Sequence, residues 1–179
     1  MKATLLSSKV HHRNEVFTVT EDRAIEPGGV EIRRAIIHHR GSAVMMPVDV
    51  RGRVLLVRQY RLAAGDSLWE LPAGRVDEGE KVLQAARREL LEETGIRARK
   101  WRKLISFYAS PGFLSEKMTI FVATELIQGE ARPMDDERIE CRWFTAKELD
   151  EAIRRGGIVD GKTLIGFLAW KRYSRSYSR

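Results

Sequence analysis

The chain has a single cysteine, Cys141. No disulfide can form within it, and a reducing compartment, the cytoplasm, is the expected setting. No apolar run approaches the ~18 residues that would span a bilayer, so no membrane partner is expected. Residues Met1 to Arg13 lack the apolar stretch of about 7–15 residues that marks a secretory signal. Internal repeats and low-complexity stretches are absent. So is a regular βαβ alternation, which argues for an α+β chain rather than a doubly wound one.

What remains is ordinary in bulk. A length of 179 residues implies one domain with room for a small appendage. Hydrophobic content of 43% with 32% charged residues describes a globular chain. The formal charge is +7, part of it in the tail Lys171 to Arg179. Arg and Tyr alternate there, as they do in some nucleic-acid-binding segments. A frayed terminal tail is the plainer reading, and nucleic acid is not an expected partner. A positive chain also attracts small phosphorylated substrates.

Glu15 to Ile25 and Val30 to His39 read as strands, joined by the turn signal Pro27-Gly28-Gly29. Such a hairpin is marginal alone and must pack on something else. Ala43 to Val50 and Val54 to Tyr60 are apolar runs separated by a turn at Arg51-Gly52. Trp69 to Leu71 is a short strand ended by Pro72. Leu104 to Tyr108, Met118 to Ala123 and Ile139 to Phe144 are further strands, with loops over Leu62 to Ser67, Ser110 to Glu116 and Ile127 to Glu137. Helices are expected over Glu80 to Thr94, stopped by Gly95, and from the capping box Thr145–Glu148 to Arg155. A last helix is expected over Asp160 to Lys171.

The most informative stretch runs from Gly74 to Ile96, G-R-V-D-E-G-E-K-V-L-Q-A-A-R-R-E-L-L-E-E-T-G-I. Glu89, Glu92 and Glu93 stand at i, i+3 and i+4 of its helix, so their carboxylates lie on one side. Like charges so spaced destabilise a bare helix by about 0.2–0.5 kcal/mol per pair. Something must offset that, and hard divalent cations such as Mg²⁺ favour oxygen ligands. The plain alternative is a solvated acidic face.

This segment resembles the Nudix box: G, five residues, E, seven residues, then R-E-U-X-E-E-X-G-U, with U a bulky aliphatic residue. Gly74, Glu80, Arg88, Glu89, Leu90, Glu92, Glu93, Gly95 and Ile96 fill the specified positions. Pro111 stands sixteen residues beyond Gly95, within Ser110-Pro111-Gly112-Phe113. A proline at that distance marks the ADP-ribose pyrophosphatase subfamily, although Pro-Gly alone is also a plain turn. Val57 to Arg61 and Trp69 to Gly74 are similar to that subfamily too, and the likeness runs from about Phe17 to Trp170.

The resemblance implies a Nudix fold, a mixed β-sheet sandwiched between helices, over residues 41–179. Residues 1–40 would form an N-terminal antiparallel β-hairpin region that dimerises and helps build the partner's nucleotide pocket. It implies Mg²⁺-dependent hydrolysis of ADP-ribose to AMP and ribose 5-phosphate, with Mn²⁺ as a substitute. GDP-mannose or another nucleoside diphosphate sugar is the alternative substrate. Glu89 and Glu93 are the implied principal metal ligands, Glu92 assists, and the Ala73 carbonyl joins them. Glu80 and Arg88 orient the loop and helix. Arg61 contacts a substrate phosphate. Glu70 either bonds a substrate hydroxyl or braces its loop. Pro111, Gly112 and Phe113 belong to the substrate site, and Glu116 lines the ribose or metal site. Glu137 aligns with a loop glutamate that acts as base, with Asp136 its nearest rival.

The pairs His11-His12 and His38-His39 do not chelate naturally, since neighbours on a strand point to opposite faces. Cys141, in a strand beside Trp143, reads as packing.

Overall fold

The computed structural model describes residues 2–129 and 139–176, the side chains of the last three apart. The chain forms two compact units. One comprises Met1–Gly41 with Phe107–Met118, the other Ser42–Ser106 with Thr119–Arg179.

The first unit is a three-stranded sheet in the order β1 (Thr4–Arg13), β2 (Phe17–Ile25), β3 (Glu31–His39). The β2–β3 hairpin pairs Phe17 with His39 and Ile25 with Glu31. It turns through Gly29, whose φ of 83° suits a residue without Cβ. The sequence reading expected two strands here and missed β1. Thr4–Arg13 is exposed along its whole length, so no buried face imprints a pattern on it. Pairing with β2 makes it a strand. The loop after Ser110 joins this unit through Ile37, whose N–H donates to the Phe113 carbonyl at 2.7 Å.

The second unit holds two sheets and three helices, in the expected α+β class. β10 (Glu140–Phe144), β5 (Val54–Arg61) and β6 (Asp66–Glu70) form one sheet. β7 (Ala73–Arg75), β4 (Ser42–Pro47), β9 (Lys117–Gln128) and β8 (Ile96–Tyr108) form the other. β4 is buried residue by residue, as an apolar run covered on both faces should be. The turn after it is built on Asp49, whose Oδ1 accepts from the N–H groups of Arg51 and Arg53.

The helix α1 (Val82–Thr94) ends where Gly95 takes the left-handed φ of 69°. Ala85, Ala86 and Leu90 bury one of its faces. They join Ala43 and Met45 of β4, Leu55 of β5, and Phe121 and Ala123 of β9 in one apolar cluster. Glu93 is itself buried on that face, and Glu89 stands one turn before it. α2 (Ala146–Arg154) opens on the expected capping box, with the Thr145 side chain accepting from the Glu148 N–H. In α3 (Gly161–Ser176), Gly166 permits close packing: a Cβ there would lie 2.8 Å from Leu71 Cδ1 and 3.1 Å from Ile120 Cδ1. Among the described residues, no helix is long and apolar enough to cross a membrane.

Candidate active site

The short strand β7 leads the chain past the carboxylate end of α1. A Cβ built on Gly74 would lie 1.8 Å from Glu89 Cδ and 2.2 Å from both carboxylate oxygens. Only a residue without a side chain lets this backbone meet the Glu89 carboxylate. Arg61, Ala73, Gly74, Glu89, Glu92 and Glu93 line one open cleft of about 770 Å³. Five of the sequence-derived site residues therefore come together here from β5, β7 and α1. Glu93 is 8% exposed, and its Oε2 is buried with no hydrogen bond among the described residues.

Arg88 answers part of the repulsion among these carboxylates. Its Nη1 donates to Glu89 Oε1 at 2.7 Å and to Glu92 Oε2 at 3.1 Å. Its Nε and Nη2 donate to Glu80 at 3.2 and 3.0 Å, and Nη2 also reaches the Arg75 carbonyl at 3.1 Å. The hydrogen bond to Glu80, with further support from Glu89, holds the guanidinium above its ordinary pKa despite burial. Glu80 in turn is held below its usual range, first by Arg88. One cation thus ties the box loop at Arg75 to the helix, the orienting role expected of Glu80 and Arg88.

The donor set suits a hard divalent cation. Among the described residues no three His, Cys, Asp or Glu side chains form a ready-made cage. Mg²⁺ does not require one, since it keeps several waters and takes one or two protein carboxylates beside phosphate oxygens. The space left by Gly74 brings the β7 backbone and the Glu89 carboxylate into one such cradle.

Arg61 stands on a second network. Its Nε and Nη2 donate to the two Glu70 oxygens at 2.9 and 2.8 Å, a bidentate pair. Glu70, 3% exposed at its side chain, also accepts from Lys162 Nζ at 2.5 Å. Lys162 donates to Asp160 Oδ1 at 3.0 Å as well. Burial pushes the Glu70 carboxyl up, but Arg61 and Lys162 outweigh it and hold it below its ordinary value. Arg61 is raised, first by the Glu70 hydrogen bond, with lesser contributions from the charges of Glu93 and Asp160. Both oxygens of Glu70 are thus engaged within the protein.

Asp160 and Lys162 carried no role in the sequence reading. Asp160 Oδ2 accepts from Thr163 N–H at 2.9 Å, a cap at the start of α3, and Thr163 Oγ1 accepts from Leu71 N–H at 2.8 Å. The signal was an Asp-x-Lys-Thr run at a helix start. Its partner, Glu70, stands ninety-two residues away in sequence, beyond the reach of local pattern.

Pro111, Gly112, Phe113 and Glu116 lie in the other compact unit. Pro111 and Gly112 form a turn in which Phe113 and Leu114 donate to the Ser110 carbonyl. Phe113 is exposed. Glu116 Oε1 is 3.8 Å from His39 Nδ1. Glu137 and Asp136 lie outside the described residues. His38 meets the Thr20 hydroxyl at 2.8 Å, and His39 accepts from the Gly41 N–H at 3.0 Å. Cys141 is exposed rather than packed.

Residues 38–164 match the model of the NUDIX domain family. The ADP-ribose pyrophosphatase of Mycobacterium tuberculosis is 34% identical over 167 residues, covering 92% of this chain and 81% of the relative. The ADP-ribose pyrophosphatase of Bacillus subtilis is 35% identical over 139 residues, covering 76% and 75%. A solved structure described as an ADP compounds hydrolase superposes with a TM-score of 0.81 at 24% identity, over 100% of this chain and 97% of that one. That last likeness speaks for the fold.

Proposed function

The chain belongs to the Nudix family, and on that premise we propose that it hydrolyses ADP-ribose to AMP and ribose 5-phosphate with a divalent cation, Mg²⁺ or in substitution Mn²⁺. The reading draws on the relatives named ADP-ribose pyrophosphatase and on the composition of the cleft. The observation that carries it is the approach of Gly74 to Glu89 in a cleft that also holds Arg61 and Glu93. Oxygen donors for a cation and a guanidinium for a phosphate face one space.

Glu89 and Glu93 hold the cation in this proposal, with Glu92 and the Ala73 carbonyl assisting. When bound, the cation neutralises diphosphate charge and lowers the pKa of a bound water. Arg61 spends Nε and Nη2 on Glu70, which leaves the Nη1 edge to donate to a phosphate oxygen. A pre-oriented guanidinium loses little entropy on binding. Water forms the new bond to phosphorus, the bridging oxygen leaves with the other phosphate, and Glu137 or Asp136 takes the water's proton. Pro111, Gly112, Phe113 and Glu116 are proposed to contact the rest of the substrate.

Turnover of a panel of nucleoside diphosphate sugars with Mg²⁺ tests this. ADP-ribose is expected to give the highest kcat/KM, with AMP and ribose 5-phosphate as sole products. A GDP-mannose value higher by roughly tenfold, ~1.4 kcal/mol of transition-state stabilisation, would reassign the substrate.

The protein is further proposed to be a cytoplasmic homodimer joined through its N-terminal strands. β1 is an outer strand, and Leu5, Leu6 and Val10 on it are 58%, 46% and 50% exposed. An outer strand bearing that much apolar surface invites a partner.

A further inference from the structure

The cleft around Glu89 uses little of the chain's positive charge. A separate concentration lies on β8, which reads Arg97-Ala-Arg-Lys-Trp-Arg-Lys103. Arg97, Arg99, Lys100, Arg102 and Lys103 are all exposed, and β8 is the outer strand of its sheet. Lys100 is neutralised by Glu125 at 2.6 Å. The other four, and Arg87 on the neighbouring α1, make no ion pair or side-chain hydrogen bond with the described residues. Five guanidinium and ammonium groups therefore stand on this surface without an acidic partner among the described residues.

The surface is grooved rather than flat. One cleft of about 650 Å³ is lined by Arg87, Arg99, Arg102, Trp101 and Trp170. A second, of about 540 Å³, shares Arg87 and Trp101 with it and adds Arg97. The Trp101 indole N–H donates to the Ala98 carbonyl at 3.0 Å, which fixes the ring in place. Charge on an outer strand also deters edge-to-edge pairing. That purpose needs neither a groove nor tryptophans lining it.

We propose that this β8–α1 groove binds a single strand of nucleic acid, a role beyond the diphosphate hydrolysis proposed above. Basic side chains set along an extended strand match the spread charge of an extended phosphate backbone, while the half-exposed Trp101 and Trp170 in the cleft wall supply aromatic surface for its bases. A bare phosphate chain would gain nothing from them.

The probe is a fluorescein-labelled 12-nucleotide single strand, followed by anisotropy on the full chain from 50 to 300 mM salt. Saturable binding is expected, with log K falling against log salt at a slope of about −3, from roughly four phosphate contacts at ~0.7 each. The variant Arg97→Ala/Arg99→Ala/Arg102→Ala/Lys103→Ala is expected to lose about tenfold or more in affinity and to flatten the slope. Its hydrolysis of ADP-ribose and its Tm should match the parent. Deleting Ser174 to Arg179 should leave binding in place. The proposal fails if no saturable binding occurs at 50 mM salt, if the quadruple variant binds like the parent, or if the tail deletion abolishes binding. It also fails if inorganic polyphosphate of equal charge competes as well as the unlabelled strand, which would leave the tryptophans without a role.

Discussion

Gly74 and Glu89 fit together because one of them has no side chain. Gly74 does not take a left-handed φ, so the constraint is close approach alone. The atoms in the way belong to the end of a long side chain, which can swing aside at little cost to the fold. Gly74→Ala is therefore expected to leave stability within about 1 kcal/mol while displacing the carboxylate. A misplacement of that size costs roughly 10²-fold in rate. Turnover with Mg²⁺ beside a denaturation curve checks both halves, and near-parental turnover would show that the approach is incidental. Glu93→Gln keeps the shape but removes the charge. It should abolish most activity with folding intact, and unchanged turnover would remove Glu93 from the proposed ligands.

Helix α3 acts on the site from beneath. Gly166 lets it lie against Leu71 and Ile120, and from that seat Lys162 and Thr163 reach Glu70 and Leu71. Lys162 is 9% exposed at its side chain. Lys162→Met leaves a buried carboxylate with one cationic partner in place of two, and a cost of about 3 kcal/mol in urea denaturation is expected. Gly166→Val should force the helix off the sheet at about 1–3 kcal/mol. If Gly166→Val instead leaves the urea midpoint unchanged, the seat is not tightly packed. Both losses act through elements distant in sequence from the Nudix box.

For the molecule as a whole, the Glu70 pair sets part of the acid sensitivity. Its carboxyl is held below its ordinary value by Arg61 and Lys162, which outweigh burial. The unfolded chain therefore binds that proton more tightly than the folded one. The stabilisation is complete above the unfolded value and is lost as pH falls through the folded one. Unfolding free energies measured from pH 6 down to 3 should decline less steeply for Glu70→Gln than for the parent; parallel declines would assign the acid loss to other carboxyls. Assembly is a second whole-molecule property. Leu5→Lys with Val10→Lys is expected to yield monomers by light scattering where the parent is dimeric, and a parent that is already monomeric removes the dimer from the proposal.

The motif from Gly74 to Ile96 was readable because its elements are local. Helical spacing puts Glu89 and Glu93 together, and Gly95 marks the turn out of the helix. The strands with an apolar run, β4 and β5, were readable for the same reason. β1 was not, since its pairing partner and not its own pattern makes it a strand. β7 was not, being three residues long. The division of strands between two sheets also escaped the one-dimensional pattern. So did the bond from Lys162 to Glu70. Local spacing along a chain fixes which side chains share a helix face. Which distant residue supplies the counter-charge, and which backbone leaves a carboxylate room only because it lacks a Cβ, follows from packing, because those contacts join segments that sequence order keeps apart.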